Sequence, residues 1–317
     1  MTMRIITLEE HFASPDIIDR FGRQSFHNKG EQLCDLNERR IAEMDAAGID
    51  LQVLSLTSPG TEALAADEAV KIANSANDFL AAAIERHPSR FAGFATLPTA
   101  VPELAADELE RMVCQHGFRG AVINGHIQGR YLDDEFFWPI MEQAEALQVP
   151  LYLHPAPPPQ PVIDAYYTGN FSSEVTRMLS TAGWGWHIET AVHILRLILG
   201  GVFDRYPKLQ FIIGHMGEAL PFMLPRIDLV MQPELTKLQR PVAAYLRENI
   251  HYTFSGFNFT AAFLNLLLEV GVDRIMFSAD YPYGSMEKGR AFLAQLPVSS
   301  ADREKIAHGN AERLLRL

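Results

Sequence analysis

Six polar residues stand where short apolar runs end. Glu9 and His11 close IITLEEHF, His154 closes PLYLHP, and His215 lies in FIIGHMG with Glu218 just beyond it. Asp280 closes IMFSAD. Two imidazoles (His11, His154) and two carboxylates (Glu9, Asp280) form a mixed nitrogen–oxygen donor set that suits one divalent cation, zinc first and manganese as the alternative. Strand side chains alternate, so Glu9 and His11 share a face and Glu10 takes the other. On that reading Thr7, Glu9 and His11 point inward, while Leu8 and Phe12 pack outward against helices. His215 and Glu218 form a second group. A helix starting after Gly217 places Glu218 in its first turn, and a carboxylate contact raises the basicity of an imidazole that works as acid, base or substrate-orienting donor. Arg226 offers a bidentate donor to an anionic substrate group, with a surface salt bridge as the competing reading. Among the other histidines, His126 is expected to face substrate and His251 to begin the seventh strand, at the wrong end for chemistry. His187 and His193 lack the H-x-x-x-H spacing of a zinc helix, and the i, i+4 pair there is Glu189 with His193. Cys34 and Cys114 have no partner base in sequence, and Ser58 lacks a G-x-S-x-G context, so no acyl-enzyme is expected.

These side chains need a scaffold that brings distant strand ends together. Eight short apolar runs occur, starting at Ile5, Gln52, Phe91, Gly120, Pro150, Phe211, His251 and Ile275. Continuous apolar runs of this length match strands covered on both faces in a parallel sheet. Helical segments separate them: 63–85, 102–116, 136–147 and 190–199, the second with Pro102 at its start and Gly117 after its end. Eight strands alternating with helices predict an α/β fold, a (β/α)8 TIM barrel, over a single domain of residues 1–317. A doubly wound sheet is the alternative, weakened because no G-x-G-x-x-G follows an early strand. The Pro-rich stretch PAPPPQPVIDAYY after His154 is expected to form a stiff loop at the barrel mouth.

The 317 residues are 48% hydrophobic and 21% charged, a globular balance that excludes a disordered chain. Acidic residues outnumber basic ones 39 to 27, leaving a net charge of −12, which argues against nucleic-acid or anionic-membrane partners. The opening MTMRIITLEEHF has no apolar signal core and no run is long enough to span a bilayer, so a cytoplasmic location is expected.

The strand-end motifs, with GHMGEALPFMLPRID from Gly214 and FSADYP from Phe277, resemble the amidohydrolase superfamily. More narrowly they are similar to its non-oxidative decarboxylase branch, and the likeness runs from Ile5 to the closing NAERLLRL. The resemblance implies a mononuclear metal site. Glu9 and His11 stand where phenolic-acid decarboxylases have their E-x-H ligands, His154 at the fifth-strand ligand and Asp280 at the eighth. His215 and Glu218 match the family's His–Glu pair, Arg226 a following Arg, and Asn124 a pocket residue. GAVING carries no bridging Lys, which favours one metal. Pro225 and the PAPPPQP loop depart from the pattern of the benzoate decarboxylases at positions that shape the pocket.

The implied activity is reversible, metal-dependent decarboxylation of an ortho-hydroxylated aromatic acid, with Asp280 as proton donor, His215 and Glu218 assisting, and no organic cofactor. A metal-dependent hydrolase of a lactone or amide is the alternative, and a non-catalytic metal-binding scaffold a third reading. The resemblance also implies a homodimer or homotetramer, and the apolar excess of Trp184–Leu199 makes that region a candidate contact surface.

Overall fold

The computed structural model describes residues 3–317. Its strands are β1 (Ile6–Phe12), β2 (Leu51–Leu56), β3 (Phe91–Gly93), β4 (Ala95–Thr96), β5 (Ala121–Asn124), β6 (Leu151–His154), β7 (Phe211–Ile213), β8 (Ile250–Thr253) and β9 (Ile275–Met276). All pairs are parallel, in the orders β1-β2-β3 and β4-β5-β6-β7-β8-β9. β3 and β4 together are the single third strand expected from FAGFATLP, interrupted at Phe94. There the chain changes sheets: Phe94 N–H donates to Leu54 O (2.9 Å), and Ala95 N–H donates to Gly120 O (2.8 Å). Between β9 and β1 the regular ladder also lapses. A bridge from Leu8 to Ser278 and the bonds Leu8 N–H to Phe277 O (3.1 Å) and His11 N–H to Tyr281 O (2.7 Å) span that seam. The result is a (β/α)8 barrel fold whose strand ladder is not closed between β9 and β1, where only these isolated contacts bridge the gap.

Helices follow the expected punctuation. Pro102–His116 begins on its proline and ends at Gly117, which takes a left-handed conformation (φ 70°) that suits a residue without Cβ. Ala66–Arg86 buries Ala69, Ala73, Ala76, Leu80 and Ala83, one face at three- and four-residue spacing. Gly185–Leu199 starts five residues earlier than expected, which brings Trp186 and His187 onto the helix.

Alternate strand residues fill two separate cores. Leu54, Phe91, Ile123, Leu153, Ile213 and Phe277 pack outward with the helices. Ile6, Leu8, Val53, Phe94, Val122, Tyr152, Ile212 and Met276 form an inner cluster, completed by Ala311 and Leu315. Each fully buried large apolar side chain contributes ~1.5–3 kcal/mol. Leu8 was expected to face the helices and instead belongs to the inner cluster, whereas Phe12 packs outward as expected. Among the described residues, no helix is long and apolar enough to cross a membrane.

Candidate active site

The position of Leu8 follows from a bulge. Pairing of β1 with β2 runs Thr7 with Gln52 and then Glu10 with Leu54, so Leu8 and Glu9 together face one residue of the partner. Glu9 takes a left-handed conformation (φ 58°), which turns its carboxylate inward after Leu8 has already pointed there. Glu9 is 1% exposed, and one oxygen, Oε2, accepts hydrogen bonds from Tyr152, Ser255 and Thr253. A Cβ on Gly214 would meet Ser255 Oγ at 2.5 Å and Glu9 Oε2 at 2.7 Å, so only glycine leaves room for this arrangement. Glu10 takes the opposite face and is also buried. It accepts from the backbone N–H groups of Ala279 (2.8 Å) and Tyr281 (3.1 Å), tying β1 to the segment that carries Asp280.

Potential ligand atoms of Glu9, His11 and His154 lie within 4.8 Å of one another, and all three residues are buried. His154 Nε2 is 3.5 Å from Glu9 Oε1, and the two imidazoles meet edge-on with centroids 4.9 Å apart. Asp280 joins through His11 alone, Oδ1 standing 3.2 Å from His11 Nε2. Burial pushes the His11 imidazole down to about 3, with Arg40 and His215 adding to the effect, and drives His154 well below the ordinary histidine range. Both rings are therefore neutral, as metal ligation requires. Glu9 Oε1, His11 Nδ1 and His154 Nδ1 are buried without a hydrogen-bond partner. Unsatisfied buried donors and acceptors cost free energy, and a cation relieves the carboxylate's share of it. The donor set fits one divalent ion.

Glu218 forms the second centre. Its oxygens are taken separately, Oε1 by His215 Nδ1 (2.8 Å) and Oε2 by His187 Nδ1 (2.6 Å), while His187 Nε2 lies 3.1 Å from Ala182 O. Burial opposes both charges here, but mutual attraction wins: His215 rises to about 9 and Glu218 falls to about 2. Glu218 was expected in the first turn of a helix. It sits before it, in a left-handed conformation after a 3-10 turn, and the helix spans Leu220–Val230. Its charge is set by the two histidines.

The two centres open onto a cavity of about 500 Å³ whose wall includes His11, His154, His187, His215 and Asp280. Trp186, Phe257, Pro157 and Tyr283 supply its apolar surface. The profile of the Amidohydrolase family matches residues 24–317. The chain belongs to the amidohydrolase family. It is 39% identical to the γ-resorcylate decarboxylase of Polaromonas sp. (strain JS666), over 98% of each protein. It is similar to a 2,6-dihydroxybenzoate decarboxylase complexed with 2,6-dihydroxybenzoate (TM-score 0.90, 36% identity, all of both chains). It is also similar to a dihydroxybenzoic acid decarboxylase of Polaromonas sp. JS666 with bound manganese and 2-nitroresorcinol (TM-score 0.90, 38% identity, 100% of this chain and 98% of that one).

In this amidohydrolase the expected residues separate into those that reach the cavity and those that do not. His11, His154, Asp280 and His215 line it, with Glu9 and Glu218 buried behind them and bonded to the lining residues Ser255, His187 and His215. Arg226 is exposed on the Leu220–Val230 helix and does not line the cavity, because the surrounding face of that helix points to solvent. Asn124 is 2% exposed and turned toward Glu62, whose Oε1 accepts its backbone N–H at 2.8 Å; it does not line the cavity either. His126 accepts from Gly129 N–H through Nδ1 (3.0 Å) and is likewise outside the cavity wall. The Pro-rich loop contributes Pro157 to the mouth, as expected. His187 was passed over in sequence because its partner is 31 residues away. Tyr152, Thr253 and Ser255 were passed over because hydroxyl residues are ordinary in strands, although the spacing of Thr253 and Ser255 on one face was a readable signal.

Proposed function

We propose that this amidohydrolase is a metal-dependent, non-oxidative decarboxylase of aromatic acids bearing a hydroxyl group ortho to the carboxylate. The observation that carries the reading is the buried donor set of Glu9, His11 and His154, whose two imidazoles line the same cavity as Asp280 and His215. The similarity to γ-resorcylate decarboxylase over 98% of both chains supports it. Glu9, His11, His154 and Asp280 would hold one divalent cation. Manganese in a relative's structure gives that ion at least equal standing with zinc.

A bound cation supplies Lewis acidity and a template for a carboxylate and its neighbouring phenolic oxygen. Burial raises the Asp280 carboxyl to about 7, against the pull of His215, so a protonated form is accessible near neutral pH. A cation beside it acts in the opposite direction. Asp280 gives its proton to the ring carbon that carries the carboxylate. The bond to the carboxylate then breaks, its electron pair returns to the ring, carbon dioxide leaves and aromaticity is restored. Solvent returns a proton to Asp280. His215, kept cationic by Glu218, stabilises negative charge on the ring oxygen. Trp186, Phe257 and Pro157 limit water around the ring. The atoms balance without an organic cofactor, and concentrated bicarbonate should drive carboxylation.

The test is incubation of manganese- and zinc-loaded enzyme with 2,6-dihydroxybenzoate, 2,3-dihydroxybenzoate, salicylate and 5-carboxyvanillate, with aryl lactones and amides beside them. Carbon dioxide release with the matching phenol supports the reading. Hydrolysis of a lactone or amide without carbon dioxide release, or metal-loaded enzyme inert to every acid, defeats it. We also propose a homodimer or homotetramer, because Phe222 and Leu268, on the packed helices Leu220–Val230 and Thr260–Val270, are 76% and 82% exposed. Trp184 and Val192 in the expected contact region are exposed as well. A monomer by sedimentation at micromolar concentration would contradict this.

A further inference from the structure

A second cavity, about 620 Å³, lies at the opposite end of the barrel. Its wall includes Lys208, Gln210, His251, Arg274, Arg313 and Arg316. Lys208 and Gln210 precede β7, His251 lies at the start of β8 and Arg274 just before β9, so the amino ends of three successive strands meet the segment that brings Arg313 and Arg316. We propose that this cavity is a binding site for a small phosphate-bearing anion, independent of the active site.

The arginines of this cavity spend their hydrogen bonds on neutral acceptors. Arg274 Nη1 donates to Gln210 Oε1 (3.0 Å) and His251 Nε2 (3.0 Å), Arg316 to Gln148 Oε1 (2.8 Å), and Arg313 to Asp273 O (2.9 Å) and Asn310 Oδ1 (2.8 Å). Every one of those acceptors is neutral. The carboxylate of Asp273, which also borders the cavity, pairs with Lys305 at 2.9 Å and offsets only part of the charge on Arg313 and Arg274. Glu312, from the same segment as the two arginines, is held by Arg4 and His308. Among the described residues the Lys208 ammonium has no side-chain partner. In a chain of net charge −12, this is a local concentration of positive charge facing one space. Like charges brought together at a partly desolvated surface repel, and a bound anion removes that cost.

His251 lies in the wall of the site beside Arg274. It is 4% exposed, and its Nε2 stands 3.0 Å from Arg274 Nη1 and 3.2 Å from Gln210 Oε1. Its Nδ1 is buried with no hydrogen-bond partner. Guanidinium forks match the oxygens of a phosphate group in pairs, which favours phosphate over a single carboxylate. The volume exceeds that of inorganic phosphate and falls in the range of small-metabolite pockets, so a phosphorylated metabolite of sugar size suits it.

The experiment is calorimetric titration of the metal-loaded full chain at constant ionic strength with inorganic phosphate, ribose 5-phosphate and succinate. Wild-type protein is compared with Arg274→Gln and with Lys208→Gln/Arg316→Gln, the latter pair at exposed positions, with the circular dichroism of each variant checked against wild type. Saturable binding of either phosphate, weakened about tenfold or more in both variants and unaffected by saturating 2-nitroresorcinol, supports the site. No saturation by about 10 mM phosphate compound overturns it, as does binding unchanged in both variants or succinate binding as tightly as the phosphates. Competition with 2-nitroresorcinol would place the anion in the active site and equally overturn it.

Discussion

Replacing Glu218 with Gln isolates the charge on His215. In the native site the carboxylate is 1% exposed and both oxygens are engaged, one by each histidine. His215 rises to about 9 from an ordinary 6.5, a gap corresponding to roughly 3 kcal/mol in favour of the imidazolium. Because the folded-state value is raised, this stabilisation is complete below pH ~6.5 and is lost as pH climbs through about 9. Glutamine keeps the shape and removes the largest counterweight to burial, with Glu9 and Asp280 left as the remaining ones, so the neutral fraction of His215 at pH 7.5 rises. The expected loss in kcat/KM at that pH is ~10²–10³-fold, the range for removing a charge-stabilising or acid–base group. The high-pH limb of the kcat/KM profile should shift down by at least about one unit, with partial recovery on acidification. Measuring that profile on manganese-loaded enzyme, together with the NMR titration of His215, tests the argument. Activity within about threefold of wild type and an unmoved limb would refute it, as would a pH-independent loss with native His215 titration.

Three further outcomes are expected. Asp280→Asn should lower decarboxylation by ~10³-fold or more while the protein still binds manganese, read by turnover beside elemental analysis; full turnover removes Asp280 from the proton-donor role. Tyr152→Phe takes one donor from Glu9 Oε2 and should weaken metal affinity ~10–100-fold in a chelator competition, with an unchanged dissociation constant counting against the hydroxyl cluster. Arg40→Met should destabilise the fold by about 3 kcal/mol in urea unfolding, since Arg40 is 0% exposed and supplies hydrogen bonds to Asp35 O (3.2 Å) and His11 O (2.5 Å). A change below about 1 kcal/mol would mean that neighbouring groups replace those bonds.

The barrel was legible because strands covered on both faces must be apolar throughout, and eight such runs separated by helices leave few architectures. Third-strand continuity was less so, since nothing in FAGFATLP marks the transfer at Phe94. The inward choice of Glu9 over Glu10 agrees with the structure, but simple alternation was not the cause. Leu8 and Glu9 share the opening through a bulge, and a left-handed residue inside a strand has no sequence mark when it is not glycine. Glu218 was matched to His215 by spacing, yet its second partner, His187, comes from a helix whose local pattern pointed to Glu189 and His193. Arg226 and Asn124 carried suitable chemistry in their side chains. Their direction depended on helix rotation and on the Glu62 contact, which are settled only by packing.

Glu10 gives the seam a mechanical character. One side chain fastens the peptide groups flanking Asp280 to the residue next to Glu9, so the proposed acid and the proposed ligand share a single clasp. An engineer seeking to shift the acid by half an ångström for a bulkier substrate would find the outer loops a poor lever. The adjustment has to be made in the opening strand, and each change there moves the cation's cradle at the same time.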